Sequence, residues 1–129
     1  MTNTETAVSG DEQRPMLVAF PSVSRNPKRA IPVIVGLHGP LDFLTAYWMM
    51  SVRGAGVEWN VLASTAFEHG PIAYAGFAVF GTLFLATVFW YSRNLWEHRW
   101  MPVVAEVLIL VGVFGLVGAN SLAALGVNL

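Results

Sequence analysis

His38, Asp42, Thr45 and Met49 follow one another at intervals of four, three and four residues inside one apolar stretch. At about 100° per residue they share a narrow stripe of a helix. An imidazole and a carboxylate so placed suit three roles: polar contacts that pack one helix on another, a proton or ion relay, or two ligands of a metal. The packing role asks least. A metal wants three or four ligands, and even with Glu106 from a later segment the spacing matches no familiar metal motif. The chain has no cysteine, which removes disulfides, thiolate metal sites and cysteine nucleophiles together. Phosphate loops, Ser-His-Asp sets and zincin motifs are absent too. No catalytic, cofactor-binding or metal-binding residues are therefore assigned, and no enzyme activity is expected.

The elements that must position these groups follow from composition. Hydrophobic residues make up 55% of the 129 and charged residues 12%, about half the usual charged share. Eight acids and seven bases cannot cover the surface of a soluble globule of this size. An all-α integral membrane protein is the class that remains. The net charge of −1 gives no ground for nucleic-acid binding.

Three apolar segments, 31–52, 71–92 and 101–125, approach the roughly 20 residues needed to span a bilayer. Residues 1–30 are polar and punctuated by Pro15, Pro21 and Pro27, and are expected to form a disordered tail. Its acids precede its bases, the wrong order for a cleaved signal peptide, so the first span is expected to act as its own signal. Between the first two spans, Trp59, Leu62, Ala63, Ala66 and Phe67 recur at helical spacing. They predict a short amphipathic helix over 57–69 lying on the membrane surface. Gly54 and Gly56 end the first span, Gly70 stops the surface helix, and Pro71 opens the second span. His-Gly-Pro occurs at both 38–40 and 69–71, a match too short to establish a duplicated hairpin.

Six of the seven bases fall on one side of these spans, Arg53 alone on the other. The positive-inside rule places the N-terminus inside and the C-terminus outside, in a cell membrane or the lipid envelope of a virus. Trp90, Tyr91, Trp96 and Trp100 are expected to form an inner aromatic belt, and Tyr47, Trp48, Trp59 and Tyr74 an outer one. Arg25, Lys28 and Arg29 make an inner patch suited to anionic lipid or a protein partner.

With a rise of about 1.5 Å per residue, Asp42 lies roughly 16 Å from Ile31, near the midplane. A carboxylate there costs at least about 2.5–3.5 kcal/mol unless it faces protein. Matching depths predicts an Asp42–Thr82 hydrogen bond and a His38–Glu106 pair, with Pro40 kinking the first span below Asp42. His69 suits a helix C-terminus and His98 an inner turn. Three histidines at three depths argue against haem. Gly112, Gly115, Ala119 and Ala123 let another helix approach closely. That helix belongs either to this chain or to a second copy or partner.

The stretch 38–90 resembles an uncharacterised archaeal and bacterial family of small multi-span membrane proteins, a domain of unknown function. The resemblance rests on Asp42 with Thr45, on Gly54 and Gly56, on Glu58 with Asn60, and on Gly70-Pro71. Val61 stands where the family has proline, and the second span lacks the lysine often found there. The family carries no assigned activity, so the likeness implies topology and marks those positions. A fainter resemblance, in size, polar N-terminal tail and placement of bases, is to small envelope proteins of pleomorphic archaeal viruses, and it implies a scaffold role. The expected function is structural or interactive. The alternatives are ion- or proton-coupled transport through His38, Asp42 and Glu106, or a subunit of a membrane enzyme.

Overall fold

The computed structural model describes residues 17–127, and among them every regular element is helical. In chain order these are α1 (Pro21–Ser24), α2 (Pro27–Arg53), α3 (Val61–Glu68), α4 (Pro71–Glu97) and α5 (Met101–Ala124). Helices α2, α4 and α5 run 27, 27 and 24 residues and contain 18-residue stretches of mean hydropathy 1.2, 2.0 and 2.3. Each exceeds the roughly 20 residues a bilayer requires. The chain is a small integral membrane protein of the expected all-α, three-span class.

Local chemistry sets the ends. Proline occupies the first turn of α2, α4 and α5, where its missing N–H costs nothing. Asn26 and Asn60 cap α2 and α3, their side-chain oxygens accepting from Lys28 N and from Leu62 N and Ala63 N. Gly54 (φ +89°) and Gly70 (φ +102°) make the turns that bracket α3, in backbone that side chains with a Cβ rarely adopt.

Three boundaries differ from expectation, and the first is that the second span continues past residue 92 as a 3₁₀ stretch, Ser92–Glu97. Residues 1–16 of the expected disordered tail lie outside the described residues. From Pro21 onward that stretch is helical, and α2 begins at Pro27, four residues before Ile31. Pro32 sits within α2, still near its start, where the carbonyl it deprives belongs to exposed Lys28. The surface helix is shorter than predicted, Val61–Glu68 after a 3₁₀ turn at Ala55–Val57, because the Asn60 cap starts it late.

Helix α2 packs along α5 and crosses α4, making two apolar clusters. At the end bearing most of the bases, Ala30, Ile34, Ala105 and Ile109 meet Val23 and Trp96. Toward the other end, Ala46, Met49, Met50, Ala63, Tyr74 and Ala124 form the second. Helix α3 docks on this second cluster through Ala63 and Phe67, whose ring lies 5.3 Å from Tyr47 and 6.2 Å from Tyr74. Leu62 on α3, and Trp59 ahead of it, are exposed, as apolar groups that face lipid would be. Tyr74 is core rather than aromatic belt, 4% exposed, with its hydroxyl donating to Phe43 O at 2.9 Å.

Two spans leave α-helical geometry at mid-length. Pro40 lies in a π-helical turn, Leu37–Leu41, so α2 widens where proline withdraws an N–H. Helix α5 is π-helical over Val111–Gly118. The two stretches pack together: a Cβ on Gly112 would stand 2.8 Å from Leu37 Cβ and 3.1 Å from His38 Nε2.

Candidate functional site

Between α2, α3, α4 and α5 lies a pocket of about 660 Å³, within the size range of small-molecule sites. Its lining begins mid-span at Asp42 and Gly115 and continues to Arg53, Trp59 and Val127 at the end away from the other bases. Ala46 and Met49 of α2, Ala63 of α3, and Leu116, Ala119 and Ala123 of α5 supply apolar wall. Asp42, Arg53, Glu58, Asn60, Tyr74 and Asn120 supply the polar groups. The space exists because α5 presents glycine and alanine where longer side chains would fill it.

Asp42 Oδ1 accepts from Asn120 Nδ2 at 2.9 Å, and the same amide reaches Thr45 Oγ1 at 3.4 Å. Thr45 donates to the Leu41 carbonyl one turn back. Glu58 Oε1 accepts from Asn60 N at 2.9 Å, closing the turn whose Asn60 then caps α3. Arg53 swings over the end of α5, its guanidinium nitrogen 3.6 Å from where a Cβ on Gly126 would stand. That is the electronegative end of a helix, where a cation is favoured.

The predicted pairings are replaced by others. Thr82 does not meet Asp42; its Oγ1 lies 2.8 Å from the position of a Cβ on Gly39. Glu106 does not meet His38. Buried at 7% exposure, Glu106 accepts from Ala19 N through both oxygens, at 2.6 and 2.9 Å, and His38 Nε2 bonds the Leu108 carbonyl at 2.7 Å. His38, Asp42 and Glu106 thus serve three separate contacts. Because α2 begins at Pro27 and not at Ile31, Asp42 stands about 6 Å further along its span than the depth match requires, at the level of Asn120.

Asn120, Tyr74 and Arg53 are the site residues that sequence reasoning missed. Asn120 had a signal, since an amide inside an apolar span calls for a polar partner. Of the positions carrying the family resemblance, Asp42, Glu58 and Asn60 line the pocket, Thr45 touches it through Asn120, and the glycines and Pro71 shape the turns around α3. Gly112 packs within the chain against α2, while Gly115, Ala119 and Ala123 line the pocket.

Elsewhere, His69 Nδ1 bonds the Thr65 carbonyl at the end of α3, and His98 stacks on Trp100 at 5.7 Å. Lys28 and Arg29 are exposed beside Arg25, and Trp96 donates to the Ser24 carbonyl at 3.1 Å, which fastens α1 beneath α4. Among the described residues no three His, Asp or Glu side chains converge as a metal centre would require. Comparison of the chain with family models, with curated proteins and with solved structures finds no match.

Proposed function

We propose that the chain is a non-enzymatic interaction protein of the membrane that holds a small amphipathic molecule in the pocket at Asp42. One observation carries this reading. Three spans and the intervening helix all contribute lining to one cavity, and its few polar groups gather against apolar wall, the usual make-up of a ligand site. Charge placement sets the chain with its basic end inside, so the pocket faces outward. Arg25, Lys28 and Arg29 then rest on anionic headgroups, at about 1 kcal/mol each.

Native mass spectrometry of the detergent-purified chain tests the reading. The wild type should retain a non-lipid small molecule, and Ala119→Leu, which fills the cavity, should not. A bare chain, or one carrying only lipid in both forms, would overturn it. Flotation with anionic vesicles tests the basic segment, and replacing its three bases by glutamine should weaken capture.

A second reading has its own support, the two π-helical stretches that face each other beside Asp42. π-helical stretches inside α-helices are frequent at functional sites. Ion- or proton-coupled flux in proteoliposomes that disappears in Asp42→Asn, with folding intact, would favour transport over holding.

A further inference from the structure

The pocket is uneven in charge along its depth. Asp42 sits at its mid-span end with one oxygen bonded to Asn120, while Oδ2 makes no hydrogen bond among the described residues. Among the described residues no buried side-chain oxygen is left without a partner, so Oδ2 is accessible rather than buried, on a residue that lines the cavity. Glu58 adds a second carboxylate to the wall, partly occupied by Asn60 N. The base of the lining, Arg53, lies toward the mouth and over the end of α5. The deep part therefore offers a carboxylate oxygen that makes no hydrogen bond among the described residues.

What enters must satisfy that oxygen in a water-poor setting. Among the described residues no three His, Asp or Glu side chains converge, so the pocket offers no protein cage for a metal ion. An anionic head meets repulsion from both carboxylates. An ammonium head supplies donors and charge together, and charge-assisted hydrogen bonds are the strong ones. Met49, Leu116 and Ala119 beside Asp42 then leave room for an apolar body.

We propose that the pocket takes a small organic ammonium ion, its head on Asp42 Oδ2 and a short apolar body along Met49 and Leu116. This names the ligand class of the binding role proposed above and rests on it.

Three probes with one body and different heads separate the possibilities: phenethylammonium, phenethyl alcohol and hydrocinnamate. Binding is measured by calorimetry to the full chain in zwitterionic nanodiscs, with Ala119→Leu nanodiscs as the blank for partition into lipid. Phenethylammonium should bind about tenfold or more tightly than the alcohol, as expected for a paired, desolvated charge. Hydrocinnamate should bind no better than to the blank. Asp42→Asn should bring the amine down to the alcohol's affinity, with the alcohol still bound above the blank, which also shows that the pocket still stands. If that variant fails to fold, Glu58→Gln should narrow the same head preference. Equal binding of amine and alcohol, or a preference for hydrocinnamate, overturns the ammonium assignment and leaves a binding pocket. No probe binding above the blank overturns both readings.

Discussion

Asp42 Oδ1 and Asn120 Nδ2 meet at 2.9 Å across 78 residues of sequence, and this contact sets α2 against α5 at the inner end of the pocket. Each is a polar group that an apolar span must give a partner. Together they place the carboxylate beside the small residues of α5 that leave the cavity open.

If this pair holds the two spans in register, Asn120→Ala should cost about 0.6–2 kcal/mol, the range for interhelical hydrogen bonds in membranes. Unfolding in mixed micelles measures it. A double-mutant cycle with Asp42→Ala, which removes the acceptor oxygen, should show coupling, and strictly additive losses would disprove the pair.

Close approach makes a second prediction. Gly39→Ala puts a methyl 2.8 Å from Thr82 Oγ1, and Gly112→Ala puts one 2.8 Å from Leu37 Cβ. Each should destabilise by about 1–3 kcal/mol through overpacking. Thr82→Ala should relieve much of the loss at Gly39. Gly76→Ala meets nothing within 4 Å and should be neutral or stabilising by up to about 1 kcal/mol. Thermal melts of the three single variants would expose an error if Gly76 proved the most sensitive.

Tyr74 joins α4 to α2 and α3 by two means, its hydrogen bond to the Phe43 carbonyl and its ring among Phe43, Tyr47 and Phe67. Tyr74→Phe removes only the bond and should cost about 1 kcal/mol. Tyr74→Ala removes the ring as well and should cost about 3–5 kcal/mol. Similar losses in the two variants would show that packing contributes little here.

Glu106 holds the segment ahead of α1 by accepting from Ala19 N. Glu106→Leu should leave α5 helical yet release that segment. Hydrogen exchange at the Ala19 amide should then speed up toward that of an open chain, and proteases should cut near residues 17–20 sooner. Unchanged protection would mean that the Val23 and Trp96 contacts suffice.

By itself the sequence determined the class, the number of spans and most of the turns. The sequence signals for these are local: hydropathy over a span's length, proline in a first turn, glycine where φ is positive, asparagine before an apolar run. The same signals fell short at Pro21 and Pro27, where proline opens a helix in one setting and blocks it in another. What only the tertiary structure decided is which polar groups meet. Thr82 and Asn120 are both polar residues in apolar spans, and nothing near either of them says which reaches Asp42. The choice turns on where α2 begins, on the register of α5, and on two π-helical turns that change the rise mid-span. A shift of one helical turn moves a side chain about 5 Å, more than a hydrogen bond can stretch. The partners of Asp42, His38 and Glu106, and the pocket itself, therefore come from packing between distant parts of the chain.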